Sequence, residues 1–236
     1  MLDRAQTGIP GLDELLEGGF VRGSTSLLSG RSGSGKTIFG LQFLCHGVTR
    51  CDESGIFVSL ETRPKELRKE ALRFGWDLKA LEQDGKLILI DAASNKAGLA
   101  TSEKFALKRG FDTATLAEAI YDAIQSITAQ RVVIDSLSGL SIRYSEPSDV
   151  RSAVFTISSL LSELGVTSIL IGETNNPLEQ SKAGVEQFLT QGLIVLNLAE
   201  DETGLTRDLL IWKMLQTSHS LKRHKFKIDD NGISLA

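Results

Sequence analysis

The feature that most constrains the fold of this chain is the segment at residues 30–37. It reads Gly-Arg-Ser-Gly-Ser-Gly-Lys-Thr and satisfies the pattern G-x-x-x-x-G-K-[ST]. A short apolar run (25–29) precedes it, and a helical pattern of apolar residues that begins at Ile38 follows it. This order of strand, glycine-rich loop and helix is typical of a phosphate-binding loop, because glycines let backbone N–H groups approach phosphate oxygens at a helix N-terminus. The alternative, a glycine-rich turn with a coincidental lysine, does not account for the flanking strand and helix.

The loop predicts a site for a nucleoside triphosphate, with a separate role for each polar side chain. We expect Lys36 to reach the β- and γ-phosphates and the Thr37 hydroxyl to be a ligand of Mg²⁺. The residues that we expect to contact the nucleotide are Gly30, Ser32, Gly33, Ser34, Gly35, Lys36, Thr37 and Ile38.

Composition indicates a soluble globular protein. The 236 residues are 41% hydrophobic and 24% charged, which suits one domain spanning residues 1–236. The net charge of −4 argues against a generally basic surface that coats nucleic acid. No secretory signal and no apolar run of about 18 residues is visible, so we expect a cytoplasmic protein without a membrane span. Cys45 and Cys51 are expected to be reduced thiols.

The pattern of apolar runs predicts an α/β fold. Short runs rich in Ile, Leu and Val alternate with helical patterns, which indicates a mostly parallel sheet with helices on both faces. The C-terminal runs follow one another without helices and predict an antiparallel extension at the sheet edge. The predicted strands are 25–29, 56–60, 87–90, 131–135, 167–172, 193–198, 208–214, 225–228 and 233–235, and the predicted helices are 64–74, 113–127 and 149–164.

Two acidic residues at predicted strand ends are candidates for the chemistry that a phosphate-binding loop requires. Asp135 ends the run Val132–Asp135 as a Walker B acid does, so it is a candidate ligand of Mg²⁺; the alternative is the N-cap of a helix. Glu61 follows another strand, where a carboxylate is suited to orient and deprotonate the attacking water. The alternative for Glu61 is an acid in the first turn of the helix that begins at Pro64.

Two basic stretches stand apart from this pattern. Residues 94–110 form a long segment with little apolar periodicity that includes Lys96, Lys104, Lys108 and Arg109. A solvated surface loop and a contact with nucleic acid or protein are both open interpretations. The cluster Lys222, Arg223 and Lys225 has the same two interpretations.

Several motifs found together in order give the chain a resemblance to a known family. They are Gly8–Leu15, the loop at 30–37, Phe74–Leu78, Val133–Leu137, Gly184–Phe188 and Lys213 with Thr217–His219. On these motifs the chain resembles the RecA-like ATPase domain of the KaiC family, over essentially its whole length. It is similar to single-domain members, whereas the circadian-clock protein of the family has two such domains in tandem.

The resemblance implies a ring, typically a hexamer, with ATP and Mg²⁺ held between neighbouring subunits. One subunit would supply Lys36, Thr37, Asp135 and Glu61, and the next would supply Lys213, with Ser218 and His219 beside it. Two positions depart from the family pattern. Thr62 stands where a second glutamate is expected, and Leu215 stands where an arginine would compensate charge on the transferring phosphate. Leu215 is open to a second interpretation, a strand residue that packs inward.

These observations predict a slow ATPase that acts as a regulatory or signalling oligomer. We expect it to have an unidentified protein partner. Self-phosphorylation is not predicted. One alternative is a RecA- or RadA-type recombination paralogue that binds DNA through the 96–109 segment. Another is a scaffold that binds ATP only to assemble. The net negative charge counts against the DNA-binding alternative.

Overall fold

The computed structural model describes residues 2–107, 111–142, 144, 146–174, 189–201 and 204–236. The Gly184–Phe188 motif and the basic residues Lys108 and Arg109 lie outside these ranges. The helices are α1 (Leu12–Leu15), α2 (Lys36–Arg50), α3 (Pro64–Leu72), α4 (Leu78–Gln83), α5 (Ala93–Lys96), α6 (Thr113–Ile127) and α7 (Pro147–Glu163), with a 3₁₀ helix at Leu137–Ile142. The strands are β1 (Arg4–Ala5), β2 (Phe20–Val21), β3 (Thr25–Gly30), β4 (Gly55–Ser59), β5 (Leu87–Asp91), β6 (Arg131–Asp135), β7 (Thr167–Glu173), β8 (Gly192–Asp201), β9 (Gly204–Met214), β10 (Arg223–Asp229) and β11 (Gly232–Leu235).

The described strands form a nine-stranded sheet in the order β11-β10-β9-β8-β3-β7-β6-β4-β5, and β1 pairs separately with β2. The six strands from β8 to β5 in this order are parallel, and β9, β10 and β11 continue the sheet antiparallel. This arrangement confirms the predicted fold class. Because parallel strands run in the same direction, the segments that follow β3, β4, β6 and β7 meet at one edge of the sheet.

The sheet has a hydrophobic core on each face, because its strands are buried on both sides. In β6, Val133 packs in the core that contains Phe39 of α2, whereas Val132 packs in the core that contains Ile120 of α6. Alternate residues of one strand therefore bury opposite layers of helices, as the continuous apolar runs of the sequence predict.

Local signals account for several helix ends. Pro64 occupies the first turn of α3, where its missing N–H has no intrahelical partner to lose. The side chain of Asp112 caps α6 by accepting a hydrogen bond from the backbone N–H of Thr115 at 2.8 Å. Gly165 follows α7 with φ +66°, the left-handed conformation in which glycine commonly ends a helix.

The segment after β5 is more ordered than an open surface loop. It begins with α5, and Ala106 then forms a parallel bridge with Asp91, the last residue of β5. The Thr101 hydroxyl donates a hydrogen bond to Asp91 at 2.7 Å, and Leu107 is buried in the core. As far as it is described, the segment thus packs along the outer edge of the sheet. Among the described helices, none is both long and apolar enough to cross a membrane.

Candidate functional site

A cavity of about 770 Å³ lies at the carboxyl edge of the parallel strands. It is bounded by the loop after β3, by the segments that follow β4 and β6, by helix α3 and by the end of β7. Its polar lining includes Ser32, Lys36, Thr37, Glu61, Asp135, Ser136, Glu173 and Arg207. The fold brings these residues together from positions that are far apart in the sequence.

The loop between β3 and α2 has a backbone that requires glycine. Gly33 and Gly35 adopt φ +79° and +102°, a region that side chains rarely tolerate. A Cβ atom on Gly30 would lie 2.4 Å from the Leu196 carbonyl oxygen. These glycines allow the chain to turn tightly from a buried strand into the first turn of α2, where backbone N–H groups lack helical partners.

Lys36 lies across this loop. Its ammonium group donates hydrogen bonds to the carbonyl oxygens of Gly30 and Arg31, each at 2.8 Å. Burial lowers the pKa of Lys36, while the nearby charges of Glu173, Asp135 and Glu61 act in the opposite direction. A buried ammonium close to three carboxylates is suited to hold an anionic group that enters the cavity.

Thr37 and Asp135 are in direct contact at the bottom of the cavity. The Thr37 hydroxyl donates a hydrogen bond of 2.6 Å to Oδ2 of Asp135. Burial raises the pKa of Asp135 to about 6, although the Thr37 hydrogen bond acts in the opposite direction.

The oxygen atoms of Thr37 and Asp135 are ligands of the kind that Mg²⁺ prefers. Across the described ranges, no group of three or more His, Cys, Asp or Glu residues could hold a metal. This sparse donor set fits a Mg²⁺ ion that takes its other ligands from phosphates and water.

Glu61 lies in the same cavity and outside α3. That helix begins at Pro64 with Arg63 as its N-cap, so Glu61 is not an acid of the first helical turn. The backbone N–H of Leu60 donates to the Asp135 carbonyl oxygen at 2.6 Å, which holds the ends of β4 and β6 side by side. The Glu61 side chain is exposed on the cavity wall.

Several residues of the cavity were not expected from the sequence, and two of them, Glu173 and Arg207, are charged residues near the loop. Glu173 is the last residue of β7 and pairs in register with Gly30. Its signal was the same as that of Asp135, an acid that ends an apolar strand. Arg207 in β9 contacts the Gly33 carbonyl oxygen at 3.5 Å and gave no local signal, because its place beside the loop depends on the pairing of β9 with β8 and of β8 with β3.

Several buried hydroxyl groups in this region lack a partner. Within the described part of the chain, the Oγ atoms of Ser34 and Ser136 are buried and make no hydrogen bond. Ser136 lines the cavity. Since buried polar groups are nearly always satisfied, these hydroxyls are suited to donate to a ligand with several oxygen atoms.

Lys213, Ser218 and His219 do not line this cavity. Lys213 pairs with Leu193, which itself pairs with Leu27 near the start of β3, so it lies towards the opposite edge of the sheet from Gly30. Burial lowers the pKa of Lys213. Arg4 donates a hydrogen bond of 2.6 Å to the Thr217 hydroxyl, which holds the start of this motif against the N-terminal segment.

Leu215 follows the last residue of β9, and 52% of its surface is exposed. The interpretation that Leu215 packs inward is therefore wrong: its backbone N–H bonds to the Gln191 carbonyl oxygen while its side chain faces outward. Trp212 and Leu221 are also exposed on this part of the molecule. Lys213 and Leu215 thus lie on a surface that is remote from the cavity of their own chain.

Comparison with known proteins places this architecture in a family. The family model described as "ATPase: KaiC" matches residues 5–236. The UPF0273 protein of Thermotoga maritima is 40% identical over 99% of this chain and 96% of that protein. The circadian clock oscillator protein KaiC of Acaryochloris marina is 35% identical over 97% of this chain but only 43% of its own length.

The crystal structure of a KaiC-like protein from Pyrococcus horikoshii is 38% identical, covers all of both chains and superimposes with a TM-score of 0.88. The match extends over the whole cavity and over the sheet that positions it, so the chain belongs to the KaiC ATPase family.

Proposed function

We propose that this chain binds Mg·ATP in the cavity behind the loop at 30–37 and hydrolyses it slowly, as a subunit of a regulatory ring. The contact of 2.6 Å between Thr37 and Asp135, which are 98 residues apart, is the observation that carries this proposal. It joins the hydroxyl that follows Lys36 to the acid at the end of β6, which is separated from β3 in the sheet by β7. This pairing is the one that a metal-bound triphosphate requires.

The loop residues bind and orient the nucleotide in this proposal. Phosphate oxygens would replace the Gly30 and Arg31 carbonyls as partners of the Lys36 ammonium, and backbone N–H groups at the start of α2 would donate to them. Ser34 and Ser136 offer further hydroxyl donors. When bound, Mg²⁺ would offset negative charge on the phosphates, and Thr37 and Asp135 would hold it.

Glu61 is the proposed general base for hydrolysis. It is exposed on the cavity wall, so water can reach it, and the ends of β4 and β6 hold it near Asp135. Glu173 is a second carboxylate in the same cavity and is the alternative base. A carboxylate in either position can accept a proton from water as it attacks the phosphate.

The ring is proposed because residues expected to contact ATP lie on two separated surfaces. Lys36, Thr37 and Asp135 line the cavity, whereas Lys213, Ser218 and His219 lie on a remote surface. A neighbouring subunit could present the second surface to the first. Leu215 on that surface has no charge to offset the phosphates, which favours slow turnover.

The alternative of a DNA-binding recombination protein has less support. Arg223 of the C-terminal basic cluster pairs with Asp208 at 2.7 Å, which reduces the positive charge available to a nucleic acid. We therefore favour a protein partner over DNA.

The proposal is tested by replacing Lys36. We expect Lys36→Ala to weaken Mg·ATP binding roughly 100-fold, because two charge-assisted contacts to phosphate are lost. Isothermal titration calorimetry measures the affinity, and circular dichroism checks that the variant is folded. Lys86→Ala is the matched control, since Lys86 immediately precedes β5 and so lies at the opposite edge of the parallel strands from the loop. A folded Lys36→Ala protein that binds ATP as tightly as the wild type would refute the proposed site.

A further inference from the structure

A second cavity, of about 660 Å³, lies on the other side of α3 from the candidate nucleotide site. Helices α3 and α4, strand β5, residues 102–105 and the end of α6 surround it. None of the roles proposed above uses this cavity. Its volume lies within the range of pockets that bind small molecules, about 300–1,000 Å³.

Arg68 is the only arginine that the described residues contribute to the lining of this cavity, and carboxylates already neutralise it. Arg68 donates two hydrogen bonds of 2.7 and 2.8 Å to Glu82, and two of the same lengths to Glu103. The two carboxylates raise the pKa of Arg68, so the guanidinium stays charged. This triad fixes one wall of the cavity and contributes a net charge of −1.

Three lysines stand around the triad without a carboxylate partner. In the part of the chain that the structure describes, Lys65, Lys79 and Lys104 line the cavity, and none of them forms an ion pair. Lys104 places its ammonium 5.4 Å from the centre of the Phe105 ring. The lining therefore has a net charge of +2, in a protein whose overall charge is −4. Such a local excess of positive charge attracts anions.

Apart from the uncharged polar residues Gln83, Ser102 and Ser126 and from Gly85, the rest of the lining is apolar. The apolar walls include Leu87 and Ile88 of β5, Ile127 of α6, and Phe105, which precedes α6. A pocket with apolar walls and a few charged groups at its rim fits a ligand with an apolar body and an acidic head. An inorganic anion alone would leave the apolar walls unused.

We propose that this cavity binds a small organic anion, in which a phosphate or carboxylate head contacts the three lysines and an aromatic or aliphatic body packs against Phe105. The site is separate from the candidate nucleotide site. A ligand bound in the second cavity would nevertheless affect the candidate nucleotide site through α3, because this helix lies between the two cavities.

The geometry of α3 supports this coupling. Lys65 and Arg68 line the second cavity, whereas Glu66, Lys69 and Glu70 line the first. Glu61 precedes this helix by only a short segment, so a ligand that displaces α3 would change the position of Glu61. This part of the proposal rests on the proposed function, whereas the binding itself does not.

Binding is tested with naphthyl phosphate, whose fluorescence reports on its surroundings. We expect one saturable site per chain, and we expect neutral naphthol or inorganic phosphate alone to bind at least about tenfold more weakly. Replacing Lys65, Lys79 and Lys104 together with Gln should weaken binding about tenfold or more. The matched control is a variant in which Gln replaces Lys222, Lys225 and Lys227 together. It loses the same amount of positive charge at another place and should bind the probe like the wild type.

Two further arms separate the possible outcomes. The Lys36→Ala variant should bind naphthyl phosphate normally; loss of binding in this variant would place the probe in the first cavity and overturn the proposal. Equal binding by the Lys65/Lys79/Lys104 variant, with its fold checked by thermal unfolding, would also overturn it. A poly-glutamate peptide is added as a competitor of the probe. If the peptide binds more tightly than naphthyl phosphate, the cavity is a site for an acidic protein segment instead.

The coupling has its own readout. With the second cavity saturated, phosphate release from Mg·ATP should change at least about twofold in the wild type but not in the Lys65/Lys79/Lys104 variant. Unchanged release, together with normal probe binding, would overturn the coupling through α3 while leaving the binding site intact.

Discussion

At the residue scale, the site is defined by charges that compete for one lysine. Lys36 is buried near Asp135, Glu61 and Glu173, so three of the acids that line the cavity lie close to a single buried ammonium. These carboxylates lie in different surroundings. Asp135 is buried, and burial together with the like charges of its neighbours raises its pKa, whereas Glu61 is exposed. A metal ligand and a general base need such different surroundings.

Glu61→Gln provides the sharpest test of this division of roles. We expect ATP binding to be retained and turnover to fall about 10²–10⁴-fold, since the substitution keeps the size and loses the base. Phosphate release under saturating Mg·ATP measures the rate. Glu66→Gln, another acid of the cavity wall, is the control and should turn over like the wild type. If Glu61→Gln is unimpaired and Glu173→Gln loses turnover instead, the base is Glu173.

At the element scale, α2 and β6 are joined by a buried arginine that no sequence pattern revealed. Arg131 begins β6 with 0% exposure, and its Nε donates to Glu53 at 2.5 Å. Its guanidinium also donates to the Phe43 carbonyl oxygen at 2.8 Å and lies 4.4 Å from the Phe43 ring centre. A Cβ atom on Gly47 would lie 2.4 Å from Arg131 Nε, so this glycine makes room for the guanidinium beside α2.

Glu53→Gln tests this buried ion pair. We expect the free energy of unfolding to fall by about 3–5 kcal/mol, because removing one partner leaves an uncompensated buried charge. Urea denaturation followed by circular dichroism measures the change. The neighbouring substitution Asp52→Asn is the control, since the Asp52 side chain is 86% exposed in its pair with Lys86, and we expect it to lower the free energy of unfolding much less. Equal effects of the two substitutions would show that burial of the pair has no energetic consequence.

The boundaries of most elements follow from short-range signals, and so the sequence predicted them well. The predicted helix 113–127 matches α6. The predicted C-terminal strands 225–228 and 233–235 lie within β10 and β11, which are joined by a turn in the run Asp-Asp-Asn-Gly at 229–232. Helix α4, the pairing of β1 with β2 and the packing of the segment after β5 were not predicted. These elements are short and depend on contacts with the rest of the molecule rather than on their own periodicity.

At the scale of the whole molecule, the expected ring depends on a surface that the single chain leaves exposed. Leu215 and Trp212 are 52% and 47% exposed, close to Lys213 and far from the cavity of their own chain. If this surface contacts the cavity of a neighbouring subunit, Lys213 would approach the phosphates bound there. Leu215 would then stand at the position where an arginine would offset the charge of the transferring phosphate. Leu215 would then limit the rate of hydrolysis without preventing assembly of the ring.

Leu215→Arg should accelerate hydrolysis at least about tenfold per subunit, because a delocalised positive charge would stabilise the transferring phosphate. The increase should occur only at protein concentrations where rings form. Phosphate release is measured against protein concentration, with the mass followed by light scattering. Leu205→Arg is the matched control, an exposed leucine in the β8–β9 hairpin, and should leave the rate unchanged. A monomer whose rate is independent of concentration and insensitive to Lys213→Ala would exclude the interface.

The sequence by itself determined the phosphate-binding loop, the alternation of strands and helices, and the two strand-end acids Asp135 and Glu61. Each of these is a local pattern, fixed by backbone geometry and by the periodic spacing of apolar residues. Only the tertiary structure decided that Asp135 contacts Thr37, that Glu173 shares their cavity, that Arg131 is buried and that Leu215 is exposed. Those facts depend on strand order, since β3 lies between β7 and β8 although both follow it by more than 100 residues. Strand pairing is set by the burial of both sheet faces at once, a property of the folded molecule rather than of any segment.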